Sequence, residues 1–126
     1  MTQNIHYTNC AGAAIDGIVG RMTPSSIFVI TDSNTATFVL PKLVEQSQSI
    51  RTATQIGIPA GDASKNADTL QRVWHALSAA RASRHALIIN VGGGVVTDLG
   101  GFAAATYKRG ISCINVPTTV LGAVDA

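Results

Sequence analysis

Four short apolar runs, each cut off by turn residues and separated from the next by a stretch of helical length, constrain this chain more than any other feature. Ser26-Ile27-Phe28-Val29-Ile30-Thr31 has Pro24 before it and Asp32-Ser33-Asn34 after it. Residues 53–58 form a second run, closed by Pro59-Ala60-Gly61. Ala86-Leu87-Ile88-Ile89-Asn90-Val91 is a third, closed by Gly92-Gly93-Gly94, and residues 111–116 are a fourth, closed by Pro117. Near-continuous apolar runs of this length are the pattern of strands buried on both faces. Between the second and third runs, Leu70, Val73, Trp74 and Leu77 fall at i, i+3, i+4 and i+7, an amphipathic helix stripe. Residues 95–107, rich in Gly and Ala, read as a further helix, with Gly110 beyond its end. Pro41 lies in the segment after the first run, so a first turn near Ala36 and a helix from Pro41 to about Ser47 are expected. Residues 5–8 read as a short edge strand, 13–19 as a short helix weakened by glycines, and Thr118 as a new helix start. The alternation predicts an α/β, Rossmann-like doubly wound, mostly parallel sheet with helices on both faces.

Hydrophobic residues make up 46% of the 126 residues and charged residues 13%, about half the ordinary charged share. A sheet covered on both faces accounts for part of this, and a surface covered in the complete protein for the rest. The net charge of +2 comes from dispersed basic residues, which argues against a nucleic-acid or membrane partner. Cys10 and Cys113 stand far apart and outside any zinc spacing, so buried free thiols of a cytoplasmic protein are expected. The first residues lack the pattern of a signal peptide, and no apolar run approaches membrane-spanning length. The chain stops after Ala126 without a helix stop signal, so residues 1–126 are expected to be the N-terminal part of a longer enzyme.

In doubly wound sheets ligands bind beyond the carboxyl ends of the strands, and the four run ends collect polar and glycine residues there. Gly92 and Gly94 fit the first two positions of GxGxxG, but Thr97 occupies the third and no acid follows about 20 residues later, so the dinucleotide fingerprint fails. Three consecutive glycines between a buried strand and a helix still favour a phosphate cradle over a mere tight turn. Asp32 alone reads as a helix N-cap; with the glycines on the same edge it reads as a ribose-diol acceptor. Asp62 and Lys65 balance two readings: Asp62 or Ser64 as N-cap beside a solvated lysine, or a ribose and a phosphate contact. Asp98 suits the helix dipole, and a functional Asp98 should face the sugar or nicotinamide end of a dinucleotide. Capping explains one of Thr118 and Thr119, and the other could reach a nucleotide. Arg109, near a helix end, is ordinary by itself. His6, His75 and His85 show no ligand pairing, so no metal site is expected among these residues.

Residues 92–110, GGGVVTDLGGFAAATYKRG, resemble the GGGVxxDxxGFxAxxYxRG signature of the 3-dehydroquinate synthase family. Residues 117–125, PTTVLGAVD, resemble its PTTLLxxVD segment, and residues 61–65, GDASK, its GExxK segment with Asp for Glu. The resemblance runs from about Ile27 to the end. It implies an NAD-dependent lyase of the shikimate pathway, with a divalent metal, zinc or cobalt, in the full-length protein. The implied substrate is the sugar phosphate 3-deoxy-D-arabino-heptulosonate 7-phosphate, and the products are 3-dehydroquinate and phosphate. Transient oxidation of a ring carbinol acidifies the neighbouring C–H, phosphate leaves by β-elimination, and re-reduction, ring opening and an aldol step follow.

By the same resemblance, Asp32, Asn34, Asp62 and Lys65 match cofactor contacts, Gly93, Gly94, Val95 and Asp98 the nucleotide loop, and Thr118, Thr119 and Leu121 a later cofactor segment. Asp125 matches an acidic residue at the substrate site. Arg109 matches an arginine that reaches the substrate phosphate from the partner subunit of a homodimer. The departures are Thr97 where glycine is usual and Ala126 where serine is usual. The lysine-bearing GGKTG segment and the metal-binding helical domain, with its Glu and two His ligands, would lie beyond Ala126, so the chain alone is expected to be inactive. Competing readings are a related NAD-dependent sugar-phosphate cyclase, a metal-dependent polyol dehydrogenase and a non-catalytic nucleotide-binding module. The stretch from Gly101-Phe102 to Arg109-Gly110 argues against the dehydrogenase.

Overall fold

The computed structural model describes residues 11–61 and 66–117. Helix α1 (Ala11–Met22) leads into strand β1 (Ile27–Asp32). Three short helices follow, α2 (Ser33–Phe38), α3 (Leu40–Gln46) and α4 (Gln48–Thr52), then β2 (Thr54–Ile58), α5 (Ala67–Ala79), β3 (Leu87–Val91), α6 (Gly94–Thr106) and β4 (Ser112–Val116). The four strands form one parallel sheet in the order β2-β1-β3-β4. The doubly wound α/β architecture read from the sequence is therefore the one observed. The edge strand over 5–8 and the helix from Thr118 lie outside the described residues.

Side-chain alternation along the strands divides the core in two. Phe28, Ile30, Ile56, Ile58 and Ile88 face one side, where Val73 and Leu77 of α5 and Val96 and Leu99 of α6 cover them. Val29, Leu87, Ile89 and Val91 face the other side, against Ile15 of α1, Leu40 and Leu43 of α3 and Ile50 of α4. The stripe at Leu70, Val73, Trp74 and Leu77 packs onto the first of these layers.

One local reading changes. Helix α1 runs beyond 13–19 in both directions, and its glycines do not shorten it. Gly12 is buried against α3: its N–H donates to Gln46 Oε1 at 3.1 Å, and a Cβ there would collide with the Gln46 side chain. The glycine is used for close packing rather than for flexibility. Pro41 lies in the first turn of α3, as expected, and the turn expected near Ala36 is the short helix α2. Two of the three helix starts carry a side-chain cap, and the start of α3 at Val39 has none. Asp32 caps α2, and Ser47 caps α4 by accepting from the Ile50 N–H at 3.1 Å.

The second cap is reinforced from α1. Asp16 accepts from Ser47 Oγ at 2.7 Å, from the Ser49 N–H at 3.1 Å and from the Gln48 N–H at 3.2 Å. A carboxylate at the start of a helix satisfies donors that have no partner within the helix. Burial works to raise the Asp16 carboxyl, and the hydrogen bonds from Ser47, Ser49 and Gln48 outweigh it and hold it below the ordinary carboxylate value.

Replacing Asp16 by alanine is expected to lower stability by about 1 kcal/mol at neutral pH, the usual size of a lost cap. Because the folded pKa lies below the reference 3.8, the carboxylate's contribution is full above that value and disappears as the pH falls through the folded one. Urea unfolding of the wild type and Asp16→Ala at neutral and acidic pH checks this: the two curves should converge in acid.

Candidate functional site

In this strand order the chain first winds from β1 to β2 and then returns to the far side of β1 to place β3 and β4. The winding reverses between β1 and β3, the place where doubly wound sheets open a crevice at the carboxyl ends of their strands. Thr31 pairs with Val91 at the end of the register, so Asp32 and Gly92 each follow this last pair directly on neighbouring strands. The topology therefore brings together the two features that the sequence placed 60 residues apart.

Asp32 is extended, with φ −92° and ψ 177°, and it caps α2. Its Oδ1 accepts from the Thr35 N–H at 2.8 Å, and the Asp32 N–H donates to Thr35 Oγ1 at 3.0 Å, a complete capping box. The capping reading and the diol reading are compatible, because the cap engages one carboxylate oxygen. Asn34 is exposed in the first turn of α2. Ser33 Oγ accepts from the Ala60 N–H at 3.2 Å and ties the end of β1 to the end of β2.

The three glycines differ from one another. Gly92 is buried; its N–H continues the ladder by donating to the Val116 carbonyl at 3.2 Å, and a Cβ there would come within 2.8 Å of Val96 Cγ2. Its neighbours in the protein require it to be glycine. Gly93, the N-cap of α6, and Gly94, its first residue, are exposed, and a Cβ on either would meet nothing within 4 Å. Gly93 has an ordinary φ of −82°. Nothing in the fold demands glycine at these two positions, and the space above them lies at the start of a 13-residue helix. First-turn N–H groups without intrahelical partners and the positive end of the helix dipole point there. Val95 is half-buried in this first turn. Thr97 does not close the space, since its hydroxyl turns back to donate to the Gly93 carbonyl at 3.0 Å.

Asp98 is exposed one turn further and lines a cleft of about 360 Å³ between the starts of α5 and α6, with Asn66, Ala67, Leu70, Leu99 and Phe102. The cap of α5 is Asn66, which accepts from the Thr69 N–H at 3.0 Å, so the reading of Asp62 or Ser64 as that cap is corrected. Asn66 and Phe102 were missed as lining residues. A polar residue directly before a helical stripe was a visible cap signal for Asn66, but the approach of Phe102 to Leu70 is tertiary and leaves no trace in sequence spacing. Asp62, Lys65, Thr118, Thr119, Leu121 and Asp125 lie outside the described residues.

Arg109 is not brought to the glycine turn. Helix α6 runs from the carboxyl to the amino ends of the strands, about 20 Å for its length, and Arg109 follows it. There the backbone takes three successive positive φ values: 44° at Lys108, 67° at Arg109 and 110° at Gly110. Left-handed conformations cost about 1–2 kcal/mol per non-glycine residue. The hook is held by Tyr107, whose hydroxyl donates to the Ala82 carbonyl at 3.0 Å, by the Gly110 N–H donating to the Tyr107 carbonyl at 2.7 Å, and by the Ile111 N–H donating to the Ala104 carbonyl at 2.7 Å. Both Lys108 and Arg109 are exposed. Among the described residues no group of three or more His, Cys, Asp or Glu could hold a metal ion, and no helix is long and apolar enough to cross a membrane.

The sequence profile of the 3-dehydroquinate synthase N-terminal family matches residues 55–126. A curated relative, the 3-dehydroquinate synthase of Parabacteroides distasonis, is 46% identical over 100 residues, covering 79% of this chain and 28% of its own. Among solved structures, 2-deoxy-scyllo-inosose synthase complexed with carbaglucose-6-phosphate, NAD+ and Co2+ superposes with a TM-score of 0.72 at 25% identity, over 84% of this chain and 29% of that one. A 2-epi-5-epi-valiolone synthase from Streptomyces hygroscopicus subsp. jinggangensis, with NAD+ and Zn2+ bound, shares the fold at a TM-score of 0.70 and 24% identity, over 94% and 34% of the two chains. The chain spans less than a third of the length of the curated relative, 28%.

The differing roles of the glycines predict opposite responses to one methyl group. Gly92→Ala should destabilise the fold by about 1–3 kcal/mol, the usual cost of overpacking. Gly94→Ala, at the first position of a helix with open space around it, should leave stability unchanged or raise it by up to about 1 kcal/mol. Urea midpoints of the two variants measure both.

Proposed function

The chain belongs to the 3-dehydroquinate synthase family, and on that premise we propose that it forms the nucleotide-binding half of an enzyme converting 3-deoxy-D-arabino-heptulosonate 7-phosphate to 3-dehydroquinate and phosphate. The observation that carries this reading is the crevice where the winding reverses, with Asp32 on one side and the open glycines on the other. The cradle fits NAD. The first-turn N–H groups of α6 would hold the pyrophosphate, and Gly93 and Gly94 would let it approach the backbone. The second carboxylate oxygen of Asp32 would accept from a ribose diol, with Asn34 beside it. Asp98, displaced by a turn from the pyrophosphate, would serve the nicotinamide-ribose end. When bound, NAD supplies reversible hydride acceptance at a substrate carbinol, and this chain's residues orient it.

In this reading residues 1–126 are the N-terminal NAD-binding domain, and Asp62, Lys65, Thr118, Thr119 and Leu121 complete the cofactor contacts. Asp125 serves the sugar-phosphate substrate. Arg109 serves the phosphate of a partner subunit's substrate, because α6 carries it away from its own crevice. The divalent metal, zinc or cobalt, finds no cluster of ligands among the described residues, and in this reading the chain alone binds NAD without releasing phosphate. Cys113, free and half-buried, suits the cytoplasm, where this reading places the enzyme.

A second reading, a sister sugar-phosphate cyclase, draws support from the fold shared with 2-deoxy-scyllo-inosose synthase. Phosphate release by the full-length protein distinguishes the two: the heptulosonate phosphate should be the substrate, and turnover of a six-carbon sugar phosphate instead would favour the sister reaction.

Calorimetric titration of the chain with NAD is expected to show binding, and a folded protein that gives no heat at millimolar NAD would sink the half-site reading. Asp32→Asn should retain the cap, since asparagine caps as well as aspartate, and hold stability within about 0.5 kcal/mol. It should still weaken NAD binding by about tenfold through loss of charge-assisted hydrogen bonds.

A further inference from the structure

We propose that the amide pair Asn90–Asn115 is a positioning device for the nucleotide site, one that holds the ends of β3 and β4 at a fixed height beneath α6 without adding to the stability of the fold. Asn90 and Asn115 are Cα partners in the parallel register, each the penultimate residue of its strand. Asn90 Nδ2 donates to Asn115 Oδ1 at 3.0 Å. Asn90 has no exposed surface at all, and its neighbours on that face of the sheet are the apolar residues of the α5–α6 layer. Its Oδ1 has no hydrogen-bond partner. On the other side, the Asn90 amide lies directly against the backbone of α6 at Gly100, where a Cβ would collide with it.

An amide fully buried with one acceptor unsatisfied is a net burden on folding, and an apolar residue of similar volume would relieve it. What the amide supplies instead is direction. Apolar contacts tolerate small slides of one element past another, whereas a hydrogen bond between two short side chains is met at one relative position. The strand end that follows Asn90 is the glycine turn, and the end that follows Asn115 is Pro117 and the segment beginning at Thr118. Gly100 brings α6 down onto Asn90, so the amide that Asn115 holds in place sets the height of the helix whose first turn faces the crevice. The inference rests on the NAD reading above, since position matters only to a ligand that bridges these ends.

The test compares NAD affinity by calorimetry with urea unfolding for the full chain, Asn90→Leu, Asn115→Leu and the double variant. The double variant should unfold at the same or a higher urea concentration and bind NAD about tenfold more weakly. Each single variant should lose nearly as much affinity as the double, because either substitution breaks the one hydrogen bond. Affinity within about twofold of wild type in a folded variant would overturn the inference while leaving the NAD reading intact. Parallel losses of stability and affinity would also overturn it, in favour of an ordinary structural role. Should Asn90→Leu fail to fold, Asn115→Leu decides alone, because Asn115 is half-exposed on the last described strand. Wild-type chain that takes up no NAD would overturn both readings together.

Discussion

Every residue of β3 is buried, and that single strand dictates the rest of the architecture. A parallel strand cannot leave either face or either side of its backbone to water without losing hydrogen bonds or apolar contact. Covering its two faces takes α6 and α5 on one side and α1, α3 and α4 on the other; covering its two sides takes β1 and β4. Because β3 must enter beside β1 on the side away from β2, the winding has to reverse there. The crevice at the carboxyl ends is thus a consequence of how β3 is buried, and the open glycines Gly93 and Gly94 stand where the chain first leaves the core.

Much of this was legible in the sequence because it rests on periodicity and punctuation. The four strands fall within a residue or two of the apolar runs, and α5 follows its stripe. The lengths of α1 and of the three helices after β1 were less visible, because they depend on partners distant in sequence. Gly12 is a helix breaker until Gln46 stands against it, and the start of α4 is held by Asp16 from another helix. Local propensity loses to tertiary hydrogen bonding in both places.

At the site, the kinds of residue were readable and their company was not. Asp32 reads from the sequence as either a cap or a ligand, and in the fold it closes a capping box through one of its two carboxylate oxygens. The glycine triplet looked uniform. In the fold it separates into one residue that packing requires and two that it does not. The Asn66 and Phe102 cleft and the Asn90–Asn115 pair arise from helix-to-helix and strand-to-strand contacts that no spacing rule encodes.

The left-handed hook at Lys108, Arg109 and Gly110 has a thermodynamic consequence. An arginine on a long, free side chain gives up much conformational entropy when it is immobilised on an anion. Here the backbone carrying the guanidinium is already fixed, clamped through Tyr107 to Ala82 and through Ile111 to Ala104. Part of the ordering that an anion would otherwise impose has been completed during folding. In the proposed role, an incoming phosphate would meet a cation whose root no longer wanders, and less of the attraction between them would be spent on holding it still.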